Sequence, residues 1–218
     1  DLKGEASTHY TKLPTYPETV ARMADTLDAP RLIYMIRDPV VRAASHFIHE
    51  WSQGVFGKDM ERAFREHPEL VHYGQYAMQI APFIEVFGRE NMCLTSLEQL
   101  TAQPQEELAR LGAFLGYGGR VRWHEEDARQ NVSGERIRRL PFHGLLVENA
   151  LASGLRRALV PKSVRQWVRS ARTFGERPAL PEGLRAELEA VYLEDRTQLA
   201  ELFPGHAALT LCYPFAPR

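Results

Sequence analysis

The sequence predicts an α/β fold, a parallel sheet flanked by helices, on three observations. Residues 32–36, Leu-Ile-Tyr-Met-Ile, form a short continuous apolar run of strand formers, the pattern of a parallel strand covered on both faces. Residues 92–95 repeat that pattern. Around these runs, apolar residues recur at helical spacing, and alternation of helix and strand favours parallel strands in one sheet.

Each element has a local reason. Residues 17–27 suit a helix, with Val20, Met23, Ala24 and Leu27 on one apolar face. The strand at 32–36 ends in Arg37 and turns directly into a helix over 39–51. Asp38 is its expected cap, and Pro39 suits a first turn that needs no amide donor. Gly54 and Gly57 mark a loop, and residues 59–66 form a short helix ended by Pro68. A helix over 73–87 packs through Ile80, Phe83, Ile84 and Phe87, with Gly88 closing it. Residues 106–115 are helical, with Leu108, Leu111, Phe114 and Leu115 inward. From residue 145 the chain is mostly helical. Pro161 and Pro181 stand at helix starts, and Leu184, Leu188, Val191, Leu199 and Leu202 form a long apolar stripe for core packing. Only two strands stand out, so further strands are hidden or lie before Asp1.

The 218 residues suffice for a full core and point to a single domain. A formal net charge of −1, with 44% apolar and 25% charged residues, is an ordinary soluble composition. No apolar run has the length of a membrane span, and no segment has the form of a secretion signal. Cys93 and Cys212 are too few for a disulfide framework and lack a CxxC partner. A cytoplasmic setting is the expectation. Six arginines and one lysine between Ser153 and Arg177, against Glu176 alone, suit either a solvated face or attraction of an anionic ligand. Near-neutral charge and the lack of a recognition motif argue against nucleic acid.

The junction at Arg37 carries the sharpest functional signal. It sets an arginine fork and the amide donors of a helix start at the carboxyl end of a strand, where α/β proteins bind anions. An ion pair between Arg37 and a nearby carboxylate such as Asp38 is the structural alternative. Arg42, Ser45, His46 and His49 share helical spacing, and Ser45 could donate to the same anion as Arg37. The segment Gly-Glu-Ala-Ser-Thr-His-Tyr at 4–10, with Lys12, offers Glu5, Ser7, Thr8, His9 and Lys12 to a substrate pocket or to plain solvent. His9, with an ordinary pKa of about 6.5, suits proton transfer. Residues 129–139 form a second basic loop around Gly134, with Asn131, Ser133, Arg136 and Arg138 among its polar groups. Neither GxxxxGK[ST] nor GxGxxG is present.

Taken together, IRDPVVRAASHFIH at 36–49 resembles the 3'-phosphate-binding motif of PAPS-dependent sulfotransferases, an arginine closing a strand and a serine eight residues later. GEAST with Tyr10 resembles the GEKSP-like segment of that family. YGQYAMQIAPFIEVFGRENMCLTSLEQL and then LARLGAFLG resemble its helix, strand and helix succession. The likeness spans about residues 4–116 and is nearest to the carbohydrate-type enzymes, with 129–139 matching the segment that closes over the cofactor. It implies a P-loop nucleotide-kinase-like sulfotransferase fold with a helical C-terminal part. It also implies Arg37 and Ser45 on the 3'-phosphate, joined by Arg136 and Arg138. Ala6 stands where some carbohydrate sulfotransferases have lysine. Nothing here resembles the family's PKxGTT-type phosphosulfate loop, so the expectation is a chain incomplete at its N-terminus.

The implied reaction moves a sulfuryl group from PAPS to a hydroxyl or amine of a carbohydrate or other small acceptor, leaving PAP. His9, with Glu5 behind it, is the expected proton handler, and Ser7, Thr8, Lys12 and His49 the acceptor contacts. No catalytic metal, no nucleic-acid partner and no stable membrane insertion are expected. The alternative is a non-catalytic nucleotide-binding or protein-interaction domain on the same scaffold.

Overall fold

The computed structural model describes residues 2–124 and 178–217. Its elements run α1 (Thr19–Thr26), β1 (Leu32–Ile36), α2 (Pro39–Gln53), α3 (Met60–Glu66), α4 (Glu69–His72), α5 (Tyr76–Phe87), β2 (Met92–Ser96), α6 (Leu97–Ala102), α7 (Pro104–Leu115), α8 (Glu182–Leu202) and α9 (Ala208–Leu211). Among the described residues, β1 and β2 make a two-stranded parallel sheet in register Leu32↔Met92 through Ile36↔Ser96. Parallel pairing brings the two carboxyl ends, and the turns that follow them, side by side.

Strand β1 departs from the expectation of cover on both faces. Leu32 and Tyr34 pack on the core and Ile36 is buried, but Ile33 and Met35 are 40% and 46% exposed. β2 is buried throughout. The reason is α7, which covers the β2 half of the second face. Buried Glu107 there accepts from the Thr95 hydroxyl and from Arg110, whose Nη2 also donates to the Leu94 carbonyl at 2.7 Å. The Arg110 guanidinium holds Glu107 below the usual carboxylate range.

α2 forms as its sequence dictates. Asp38 accepts from the Val41 amide at 3.0 Å, Pro39 opens the first turn, and Gly54 ends the helix at φ 85°, a left-handed conformation that glycine takes without a Cβ clash. Its apolar face buries Phe47, Ile48 and Trp51; Phe47 and Ile48 belong to one core cluster with Ile80 and Phe83 of α5 and Leu188, Tyr192 and Leu199 of α8, and Phe47 stacks on Phe56 at 6.0 Å. Each such side chain contributes about 1.5–3 kcal/mol of burial free energy.

The helix expected over 73–87 starts later, at Tyr76, after a turn through Tyr73, Gly74 and Gln75 that follows α4. A Cβ at Gly74 would lie 2.8–2.9 Å from the ring of Tyr192, so a side chain is excluded where α8 presses closest. Pro181 stands at the start of α8 as expected, and the stripe is core except for Val191, which is 36% exposed. Asp195 of α8 reaches back to accept from the amides of Ala77 at 2.9 Å and Met78 at 3.1 Å, a tertiary cap for α5. Both cysteines are buried and free.

Candidate functional site

The site begins where β1 ends. Arg37 is half-buried, and among the described residues its guanidinium meets no carboxylate. The ion pair with Asp38 does not form, because Asp38 folds forward to cap α2. That same fold changes the expectation of free amides. Asp38 takes the amides of Val41 and Val40, and the amide of Asp38 itself donates to Glu98 Oε1 at 2.8 Å. The donors at this helix start are therefore already satisfied by carboxylates. Any anion here rests on side chains.

Ser45 lies on α2 roughly 9 Å along the helix axis from Pro39, and its hydroxyl donates to the Val41 carbonyl at 2.8 Å. A cavity of about 180 Å³ adjoins this stretch, with Val40, Val41 and Ala44 on one side and Leu180 and Arg185 on the other. Burial raises the Asp38 carboxyl above the usual range, Glu98 adds to that, and the Arg185 cation opposes it.

Two residues that the sequence reading did not single out hold this junction. Tyr76, buried at the start of α5, donates its hydroxyl to the Arg37 carbonyl at 2.9 Å and lies 3.4 Å from the Arg37 amide. Glu98 of α6 holds Asp38 through one oxygen and meets Cys212 Sγ at 3.1 Å through the other. Glu98 was legible in principle: it follows β2 as Arg37 follows β1, and parallel strands place both turns at one end of the sheet.

The remaining candidates divide into two groups. Glu5, Ser7, Thr8 and His9 are exposed, and their contacts are local: the Tyr10 hydroxyl donates to Glu5 at 2.6 Å, and the His9 amide donates to Ser7 Oγ at 3.1 Å. Lys12, by contrast, joins a basic group on α2. Its Nζ lies 5.6 Å from the ring centre of Tyr73, which also faces Arg42 at 5.9 Å and stacks on His46 at 5.4 Å. His49 lies one turn on, with Nε2 3.9 Å from Glu50. Burial, then Arg42, Lys12 and His49, push the His46 pKa down to about 3, and burial lowers Lys12 as well. The structure thus unites Lys12 with the Arg42–His49 face and leaves Glu5–His9 apart. Arg136 and Arg138 lie outside the described residues.

Mouse heparan sulfate glucosamine 3-O-sulfotransferase 3B1 is 30% identical over 127 residues, 53% of this chain and 32% of that protein. The mouse 3A1 form is 30% identical over 117 residues, 48% of this chain and 30% of that protein. The matches thus span about a third of the length of these curated relatives. The crystal structure of a sulfotransferase from Alicyclobacillus acidocaldarius superposes with a TM-score of 0.54 at 23% identity, covering 91% of this chain and 63% of that one, a likeness of fold. Residues 17–142, more than half of the chain and including the whole Arg37 junction, match the sulfotransferase domain, and the chain belongs to that family.

Proposed function

We propose that the chain carries the 3'-phosphate half of a PAPS site and serves sulfuryl transfer to a hydroxyl or amine of a carbohydrate or similar small acceptor. The observation that carries this reading is the half-buried Arg37 guanidinium, unmatched by a carboxylate among the described residues, at the carboxyl end of a parallel strand. The donor set fits a phosphate. Arg37 supplies a fixed fork, and the Ser45 hydroxyl can rotate from Val41 to a bound oxygen.

PAPS supplies the sulfuryl group when bound. Arg37 and Ser45 would hold its 3'-phosphate, with Arg136 and Arg138 as further cations in the sequence. His9 or Glu5 would accept the acceptor proton, and Lys12 and His49, set on a basic face with Arg42, would meet the acceptor. Likeness to enzymes named for heparan sulfate favours a glycan acceptor.

Calorimetric titration with PAP tests the phosphate site. Arg37→Ala should cost roughly 2 to 5 kcal/mol of binding free energy, and Ser45→Ala about 1 kcal/mol. Unchanged affinity in a folded Arg37→Ala variant sinks the assignment. The exposed, locally bonded Glu5–His9 segment favours a second reading, nucleotide binding without catalysis. Transfer of labelled sulfate from PAPS across a panel of sugars separates the two.

A further inference from the structure

The ladder between β1 and β2 stops at Ile36↔Ser96. Beyond it, the polar groups of Arg37 and the amide of Asp38 have no strand partner, yet all are satisfied. The Tyr76 hydroxyl serves the Arg37 carbonyl at 2.9 Å and stands 3.4 Å from its amide, and Glu98 takes the Asp38 amide at 2.8 Å. Tyr76 is itself immobilised. It is 3% exposed, its ring meets Tyr34 edge-on at 6.0 Å, and the helix it begins is capped by Asp195. Glu98 is braced by Cys212.

These contacts fix the backbone of the junction, while among the described residues the Arg37 guanidinium meets no carboxylate. A side chain that must bind an anion loses less entropy when its backbone is already held. We infer that Tyr76 and Glu98 are positioning residues for Arg37, setting the direction from which its guanidinium meets the 3'-phosphate. The inference rests on the phosphate-site reading above.

A double-mutant cycle on PAP affinity tests it, with thermal melts confirming that each variant folds. Tyr76→Phe removes one hydroxyl and keeps the ring. It should weaken PAP binding about three- to tenfold when Arg37 is present. On an Arg37→Ala background the same change should alter affinity less than twofold, since there is no guanidinium left to aim. Glu98→Ala should follow the same pattern. Glu98→Gln, which keeps an acceptor for the Asp38 amide, should restore affinity to within about twofold of the parent.

Equal losses from Tyr76→Phe in both backgrounds, or none in the parent, would overturn the positioning role. An Arg37→Ala variant that binds PAP normally would instead overturn the phosphate site. The two failures are therefore separable.

Discussion

The backbone at Arg37 and Asp38 is gripped by side chains from two other helices, whereas the exposed segment from Gly4 to His9 is held chiefly by its own neighbours. From Tyr10 onward the chain meets the body of the protein: Tyr10 packs on the core and Lys12 lies over the Tyr73 ring. Gln79 receives the Leu13 amide at 2.8 Å and donates to its carbonyl at 2.9 Å, and Thr15 pairs with the Tyr73 hydroxyl. Both stretches are rich in polar groups that could serve a site. The difference lies in how much of the remote fold is committed to keeping each still, and by that measure Arg37 is the prepared half.

Removing support from the prepared half should have the largest effect. Asp195→Ala uncaps α5 and leaves the amides of Tyr76, Ala77 and Met78 without their acceptor, which should cost on the order of 3 kcal/mol in urea unfolding. Burial raises the Asp195 carboxyl, so its ionised form carries a penalty at neutral pH. Asp195→Asn, which keeps an acceptor without the charge, should therefore cost markedly less. Equal losses from the two substitutions would show that packing, rather than the cap, holds the junction.

Where the two regions meet, at His46 between Lys12, Arg42, His49 and Glu50, acid should separate them. The folded pKa of His46 is depressed from 6.5 to about 3. Between those values the unfolded chain binds a proton that the folded chain does not, so stability present above pH 6.5 is lost as pH falls. The slope is up to about 1.4 kcal/mol per pH unit, or roughly 2 kcal/mol by pH 5. His46→Phe should flatten this dependence in paired melts at pH 7 and pH 5, and an unchanged slope would rule His46 out as its source.

The smallest effect belongs to the loosely held half. Gln79→Ala releases both backbone groups of Leu13, at about 1 to 2 kcal/mol. It should speed tryptic cleavage at Lys3 and Lys12 while PAP affinity stays within about twofold. A parallel loss of PAP affinity would show that the two regions are one unit after all.

The extent to which the sequence revealed this follows from the range of each interaction. β1, β2, α2 and the cap at Asp38 arise from contiguous residues, and periodicity with turn chemistry located them. The sequence leaves an Arg37–Asp38 ion pair open, and in the structure that pair does not form because Asp38 commits its carboxylate to capping α2. The helix start that looked rich in donors is not, because Glu98 arrives from 60 residues away to take the Asp38 amide. Tyr76 reads as one more core aromatic beside Ile80 and Phe83, and nothing local distinguishes a hydroxyl aimed at a strand end. Ile33 and Met35 looked buried because composition records hydrophobicity and not which half of a sheet face a helix covers.

The cap on α5 also sets an order of events. Ala77 and Asp195 are separated by 118 residues of chain. On a ribosome, Arg37, Ser45 and Tyr76 all emerge long before the carboxylate that completes the helix under them. A nascent chain can therefore pair β1 with β2 early yet leave the Arg37 junction unfinished until α8 docks, since contacts of such long sequence separation form late and slowly. If Arg37 holds the nucleotide as proposed, PAP affinity reports on the docking of α8 as well as on the β1–α2 junction.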